Sequence, residues 1–454
     1  MFELIWIIIK KAFLFSDLIL EFAEHINQEL RFKRKMKINT FNAFKSPNYR
    51  LFFIGQSVSL IGTWMQKTAV SWVVYSLTHS KFMLGVTLFA TMFPSFLFSF
   101  LGGVVADRYN RYKLMLLTQV ASMLQASLLA VLIFFKHYTI GEVLSLSVVL
   151  GIINAFDVPA RQSLVYEMVD DKKYLPNALA LNSTMVNLSR LIGPAIAGII
   201  IEKFGEEICF GLNAFSFLAV IISLLLMKLP KYTGKKNTQN VFTSLKEGMI
   251  YVIETPAIGS IMAMLALVSL FVLPFSTLIP VYAKDIFRGT ASTFGIIDSV
   301  IGLGAFSGGI FLASLKPGTN LRKILAINTF VFGTGLILFS HTTYYPLALL
   351  FAAVSAFGMM SQITISNTII QTTVDTAMRG RVISIYAMSF FGMQPFGGLI
   401  IGYVSQHIGV ENTVMASGII ALMIAVLHVR YIRKQKQKDN ILIDEESVEP
   451  VIES

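Results

Sequence analysis

The sequence predicts an all-α membrane protein with about twelve transmembrane helices in two six-helix bundles. Of its 454 residues, 55% are hydrophobic and only 14% are charged, whereas a soluble domain carries about 25% charged residues. Apolar runs recur that are long enough to cross a hydrocarbon core of about 30 Å, which takes roughly 20 helical residues. The one long interior connector, 231–254, is polar and basic and separates the runs into two groups of six.

The apolar runs begin at Leu51, after a short polar lead-in. A window of roughly 19 residues gives about twelve candidate spans. Their approximate limits are 51–77, 82–106, 114–135, 143–168, 175–201, 208–229, 256–283, 291–315, 324–340, 344–374, 381–404 and 412–430. The predicted organisation is an amphipathic and basic N-terminal extension at 1–48, a first bundle at 49–230, a cytoplasmic linker at 231–254, a second bundle at 255–431 and a cytoplasmic tail at 432–454. The tail is first basic and then acidic, which predicts disorder.

Residues 1–35 place acidic side chains at helical spacing among apolar ones, a pattern typical of an amphipathic helix. The leading apolar stretch precedes Lys10 and Lys11, which is the reverse of the order in a secretory signal peptide. Two interpretations remain open. The segment is either a helix on the membrane surface or an upstream extension, with Met36 as the true start.

The basic residues predict the orientation. The net charge of +11 resides mostly in short segments between apolar runs, so it indicates membrane topology and no nucleic-acid partner. If the N-terminus is cytoplasmic, the outer loops hold only Lys81, Lys136, Lys203, Lys284 and Arg288. The large excess on the other face predicts that both termini are cytoplasmic.

The two halves share sequence features at corresponding positions. These are a glycine pair that ends the second span of each half, and a serine followed by a proline in the fifth: Gly102-Gly103 with Gly308-Gly309, and Ser183 and Pro194 with Ser384 and Pro395. A parallel six-plus-six repeat is typical of secondary transporters, which rock two bundles around a central site.

The short bridge between the second and third spans, Gly103-x3-Asp107-Arg108-x2-Arg111-x-Lys113, resembles the signature loop of the major facilitator superfamily. Further segments are similar to the exporter branch that contains macrolide efflux pumps and the enterobactin exporter: 62–66, 72–80, 156–162 and 187–198. Gly193, Pro194 and Gly198 resemble a fifth-helix motif associated with antiporters. The resemblance extends from Phe41 to Arg430 and implies export by alternating access.

Asp107, Arg108 and Arg111 form a candidate conformational latch in this bridge. The resemblance implies that the bridge meets the start of the eleventh helix in one state, where the helix dipole would favour Asp107 by roughly 0.3–1 kcal/mol. The arginines also have a plainer interpretation as charges that fix the orientation.

Five charged residues lie deep inside the spans: Lys67, Asp157, Arg161, Arg190 and Asp298. Each costs about 2.5–3.5 kcal/mol on insertion and needs a partner or a watery cavity. Residue counts along the helices predict that Asp157 pairs with Arg190, while Arg161, one turn away, is a rival partner. Such a pair is either a proton-sensitive switch or a static pair that fixes helix register.

Lys67 and Asp298 each have two open interpretations. Lys67 either attracts an anionic substrate or extends to the outer surface by snorkelling. Asp298 is the only carboxylate deep in the second half. It either carries a proton or accepts structural hydrogen bonds from a neighbouring helix.

The resemblance implies that the first, fourth, seventh and tenth spans form the substrate surface. Polar and polarizable side chains there suit an amphipathic molecule, although the same residue types are typical of helix packing. The candidates are Gln56, Trp64, Gln66, Met360, Gln362 and Asn367.

Several site types are not expected. No Gly-Lys-Ser/Thr loop is present for ATP, and Gly302 to Gly308 lies within a span, where small residues favour close helix packing. The six histidines lack metal-ligand spacing. Cys209 is the single cysteine, which excludes an internal disulfide. We therefore expect no cofactor, no metal and no enzymatic activity.

These observations predict a monomeric exporter of the bacterial inner membrane. Its partners are a small amphipathic molecule, a drug or a siderophore, together with protons and the lipid bilayer. The alternatives are an importer or facilitator of the same fold, or a non-transporting membrane sensor.

Overall fold

The computed structural model describes residues 41–136, 138–229, 241–316 and 318–448, and almost all of them are helical. The two interpretations of residues 1–35 lie outside the described residues, as does the first part of the linker. A 3-10 turn, Asn42–Lys45, leads into the first spanning helix.

Six spanning helices form the first bundle: α1 (Pro47–Thr78), α2 (Lys81–Arg108), α3 (Arg111–Phe134), α4 (Ile140–Met168), α5 (Leu175–Phe204) and α6 (Glu206–Leu225). A linker helix, Val241–Glu254, follows. The second bundle contains α7 (Pro256–Ile286), α8 (Ala291–Ala313), α9 (Leu321–Ser340), α10 (Tyr345–Thr373), α11 (Arg379–Ile408) and α12 (Val410–Val448). The predicted fold class is confirmed.

Within the described residues, eleven helices are long and apolar enough to cross a membrane. The twelfth, α1, is 32 residues long. Polar side chains such as Gln56, Gln66 and Lys67 lower its hydropathy, and they are among the residues predicted to line the transport path. The helix that least resembles a lipid-facing span is therefore one with polar side chains directed into the protein.

Local capping repeats between the halves. Asn110 caps α3 by accepting a hydrogen bond from the Lys113 amide, and Asn320 caps α9 in the same way. Gly205 joins α5 to α6 with φ of 92°, and Gly409 joins α11 to α12 with φ of 88°. Only glycine adopts such angles without strain. Each half thus ends in two helices joined by a single glycine.

Two helix pairs join the bundles, α2 with α11 and α5 with α8. We call the end of the molecule that holds bridge 102–113 the bridge end, and the opposite end the far end. The helix backbones touch in the far half. A Cβ atom on Gly85 would lie 2.2 Å from the Gly398 carbonyl oxygen, and one on Gly295 would lie 2.3 Å from that of Pro194. Small residues allow this close approach.

The same pairs diverge toward the bridge end. Gly295, Gly302 and Gly309 recur every seven residues along one face of α8. The first two contact α5, but a Cβ atom on Gly309 would meet nothing within 4 Å. On α2, Gly85 touches α11, whereas a Cβ atom on Gly103 would also meet nothing within 4 Å. The two helix pairs therefore separate toward the bridge end, and we call the space that this leaves between the bundles the cavity.

Two further regions bear on the predictions. The backbone of α12 is helical to Val448, and the predicted disorder of the tail stays a prediction. The stretch after Arg430 is rich in Lys, Arg and Gln, which are good helix formers.

Cys209 is fully buried, and its thiol donates to the Met65 carbonyl oxygen at 3.7 Å.

Candidate transport site

Three deep charged residues meet between the bundles. Lys67 on α1 and Arg190 on α5 belong to the first bundle, and Asp298 on α8 belongs to the second. The Asp298 carboxylate interacts electrostatically with both cations, and the Thr68 hydroxyl lies beside it. We call Lys67, Arg190 and Asp298 the charge cluster. Its attractions cross from one bundle to the other.

Trp64 provides the platform of the charge cluster. The Lys67 Nζ atom lies 4.7 Å from the centroid of the Trp64 ring, and the Arg190 Cζ atom lies 5.7 Å from it. Both distances are within the range of cation–π attraction, worth about 0.5–2 kcal/mol. A Cβ atom on Gly193 would lie 2.6 Å from that of Trp64. Glycine at this position therefore lets α5 bring Arg190 close to the ring.

The side chains of the charge cluster are partly exposed. Lys67 is exposed, and Arg190 and Asp298 are half-buried. Because Lys67 interacts with groups on α5 and α8, its exposure is to the space between the bundles. The Lys67 side chain thus points toward Trp64, Arg190 and Asp298. The interpretation that it snorkels to the outer surface is wrong for this state.

The far end is closed by contacts between α1 and the second bundle. Trp72, on α1, stacks on Phe294 with ring centroids 6.2 Å apart. The Tyr75 hydroxyl donates a hydrogen bond to Asp285, and Lys284 lies 5.5 Å from the centroid of the Trp72 ring. A π-helical turn at Tyr282–Ile286 carries both charged residues of this gate. The expectation that Lys284 lies in an outer loop is therefore corrected, because Lys284 belongs to this turn, and the gate is found only in the structure.

Asp157 lies inside the first bundle. It is 5% exposed and forms an ion pair with Arg161, at 3.4 Å. It also accepts hydrogen bonds from the Thr118 hydroxyl at 2.9 Å and the Gln119 amide at 2.7 Å, both on α3. The predicted pair with Arg190 is wrong for this structure, because Asp157 faces α3 while Arg190 faces Trp64 and α8. The rival partner, Arg161, is the one observed.

The bridge is attached to α4. The Arg111 guanidinium contacts Glu167 at 2.8 Å and donates to the Ala106 carbonyl oxygen at 3.2 Å. It also lies 3.8 Å from Asp107, which is 53% exposed in its side chain. Arg108 is exposed. Because the bundles diverge at this end, the latch remains a prediction for the opposite state.

The predicted substrate-cavity residues divide into two groups. Gln66 donates to Gln125 at 3.0 Å and accepts from Asn213 at 2.7 Å, so it joins α1, α3 and α6 inside the first bundle. Gln56 and Gln362 are 2% and 0% exposed. In this state these three are packing residues, and their assignment to the cavity surface is wrong. The partly exposed candidates are Trp64, Met360 and Asn367.

The antiporter-type motif packs α5 against two neighbours. Gly193 contacts α1, while Pro194 and Gly198 contact α8, where a Cβ atom on Gly198 would lie 2.6 Å from the Ala291 carbonyl oxygen. The close packing predicted for Gly302 is also observed, since a Cβ atom there would lie 2.9 Å from Cα of Leu191.

Comparison with known proteins identifies a family and several relatives. The sequence model of a family described as "Transmembrane secretion effector" matches residues 38–453. The staphyloferrin A transporter of Staphylococcus aureus is 27% identical, with 86% of this chain and 97% of the relative covered. Macrolide efflux protein A of Streptococcus pyogenes is 21% identical, with 85% and 96% covered. The enterobactin exporter EntS of Shigella flexneri is 23% identical, with 84% and 90% covered.

Solved structures share the fold. A bacterial homologue of the human lysosomal transporter Spinster, inward-facing and occupied, superposes with a TM-score of 0.68 at 14% identity and covers 86% of this chain and 97% of its own. A POT family transporter in complex with 5-aminolevulinic acid gives 0.69 at 14% identity, with 86% and 96% covered. The curated relatives and these structural neighbours are transporters and not enzymes, in agreement with the expectation of no enzymatic activity.

Proposed function

The chain belongs to the transmembrane secretion effector family of the major facilitator superfamily, and from this premise we propose that it exports a small amphipathic molecule in exchange for protons. It is a multi-pass membrane transporter of small molecules. Three points are proposed beyond this: the direction of transport, the coupling ion and the residue that carries the proton.

Export is supported by the relatives and by the cavity. Relatives are named for macrolide efflux and enterobactin export, which makes a drug or a siderophore the proposed cargo. The excess of basic residues at the bridge end supports a cytoplasmic location of that end in a bacterium, with both termini on the same side. The cavity then opens to the compartment from which an exporter loads.

Asp298 is the proposed proton carrier, and the observation that supports this role is its position opposite two cations of the other bundle. When the carboxylate is charged, it attracts Lys67 and Arg190 across the bundle interface. Protonation removes this attraction and leaves two cations without a counter-charge. A change that acts on an interface between bundles shifts the equilibrium between transport states.

The charge on Asp157 is not expected to affect the contact between the bundles in the same way. Its described partners, Thr118, Gln119 and Arg161, belong to the same bundle. A change in its charge would alter the stability of that bundle more than the contact between bundles. The static interpretation is therefore proposed for Asp157, and the switch is assigned to Asp298.

Transport into vesicles tests the proposal. Purified protein is reconstituted into proteoliposomes that contain a pH-sensitive dye, and pyrenebutyrate, pyrenebutyramide and a macrolide are offered under an imposed pH gradient. Asp298→Asn should lower gradient-driven accumulation about 5- to 150-fold, as expected for loss of a coupling free energy of about 1–3 kcal/mol. Exchange of the same probe without a gradient should persist.

Asp157→Asn is the matched control, since it also neutralises one deep carboxylate. Per folded molecule it should retain proton coupling. Full coupling in Asp298→Asn would overturn the assignment of the proton carrier. A reversed pH dependence of flux would instead indicate an importer, and probe binding without any flux would indicate a sensor.

A further inference from the structure

We propose that Lys67, Arg190 and Trp64 form a subsite for an amphipathic anion, so that the exported compounds carry a carboxylate next to an apolar body. This inference rests on the proposed function, because it names the substrate class of the same cavity. The occupant is identified by the charge of the site, the shape of its platform and the path that leads to it.

The charge cluster has an excess of positive charge. Two cations face a single carboxylate, and within the described chain the charged groups that act on Lys67 are Asp298 and Arg190. A charge removed from bulk water requires compensation. An anionic ligand would neutralise the remaining positive charge, whereas a cationic ligand would add to it.

The Trp64 ring gives this charged site an apolar floor. Both cations lie within 6 Å of the ring centroid, so a carboxylate bound to them would be held next to an aromatic surface. Lys67 presents a single ammonium, and Arg190 presents a planar fork that suits a carboxylate. A charged head and an apolar body can therefore be bound at one position.

A polar strip leads from the bridge end to the cluster. Asn187 and Ser183 lie three and seven residues before Arg190, on the same face of α5, and both are at least partly exposed. The Asn187 amide donates to the Ser183 carbonyl oxygen at 2.8 Å. With the bundles diverging at Gly309, an anion reaches Arg190 along a hydrated helix face.

Asp298 competes with the ligand for the same cations. When Asp298 is charged, it neutralises part of the positive charge of Lys67 and Arg190. When it is neutral, both cations are available to the ligand. The charge on Asp298 therefore sets how tightly the subsite holds the anion, without a direct contact between the carboxylate and the ligand.

The test compares two probes that differ in charge alone. Pyrenebutyrate and its neutral amide, pyrenebutyramide, are titrated onto the purified full-length protein in detergent, and binding is followed by energy transfer from tryptophan, with empty micelles as the blank. The wild type should bind the carboxylate about tenfold or more tightly than the amide, which corresponds to about 1.4 kcal/mol.

Substitutions assign the preference to the subsite. Lys67→Gln and Arg190→Gln should each remove most of the preference for the carboxylate, while Lys67→Arg should retain it. Lys173→Gln is the matched control, because it removes one positive charge from an exposed residue outside the cavity. Asp298→Asn should act in the opposite direction and tighten binding of pyrenebutyrate several-fold.

Equal affinity of the wild type for both probes would overturn the inference, and this measurement requires no mutant to fold. So would a preference that survives Lys67→Gln and Arg190→Gln. Failure of the subsite and failure of the proposed function are distinguishable. Charge-selective binding without proton-driven flux would contradict the export proposal alone, and proton-driven flux without charge selectivity would contradict the subsite alone.

Discussion

Asp157 and Asp298 are both carboxylates within spanning helices, but their surroundings differ. Asp157 is 5% exposed, and an arginine and two polar groups of its own bundle hold it. Asp298 is half-buried and faces two cations of the opposite bundle. The difference in their partners is the reason that we propose Asp298, and not the more buried Asp157, as the switch. The relevant property is whether the partners move relative to the carboxylate during the transport cycle.

The greatest change is expected when the ion pair of Asp157 is removed, which tests whether this carboxylate is static. Replacing Arg161 with Met leaves a buried carboxylate without its cation, which costs about 3–5 kcal/mol. We expect a strongly lowered melting temperature in detergent, partly restored when Asp157→Asn is added. Proton coupling in the folded fraction should remain. Loss of coupling with unchanged stability would mean that Asp157 is the switch.

An intermediate effect is expected at the interface that Asp298 spans. Gly85→Val places a side chain 2.2 Å from the Gly398 carbonyl oxygen, and overpacking of this kind costs about 1–3 kcal/mol. The closed far end should therefore lose population. Spin labels at Gly141 and Thr343, on opposite bundles at that end, should show longer distances.

Gly211→Val provides the control for this measurement. A Cβ atom on Gly211 would meet nothing within 4 Å, so the same substitution adds the same side chain without a clash. An unchanged distance distribution in Gly85→Val would show that the α2 and α11 backbones do not determine closure of the far end.

A smaller effect is expected at the bridge. It tests the predicted latch in the opposite transport state, in which the bridge end is closed. Asp107→Asn removes a charge worth roughly 0.3–1 kcal/mol at a helix N-terminus. We expect a transport rate up to a few-fold lower, with normal expression, in the proteoliposome assay. Lys173→Gln, which neutralises an exposed charge outside the bridge, should have little effect. Unchanged transport in Asp107→Asn would remove the latch.

The helices and their grouping could be predicted because lipid imposes a strong pattern on the sequence. A span must be predominantly apolar over roughly 20 residues, and polar connectors lie at the membrane faces. The single-residue turns at Gly205 and Gly409 were not predicted, since a lone glycine between apolar runs does not reveal its backbone angles.

The candidate site was harder to predict, because a sequence gives the depth of a residue more reliably than its direction. Depth alone made Arg190 a plausible partner of Asp157, but the two residues face different helices. Gln66 was misassigned for the same reason, since it is directed toward α3 and α6. The cluster around Asp298 depends on contacts between the halves, which no local pattern encodes.

The enclosure of Cys209 has a practical consequence. The only sulfhydryl group in the sequence is fully covered by neighbouring side chains and bonded to a backbone oxygen of α1. Maleimides and similar alkylating agents should therefore leave the natural protein unmodified. Any cysteine introduced on the rim of the cavity becomes the one reactive position, so that its rate of alkylation reports directly on when that rim is open to water.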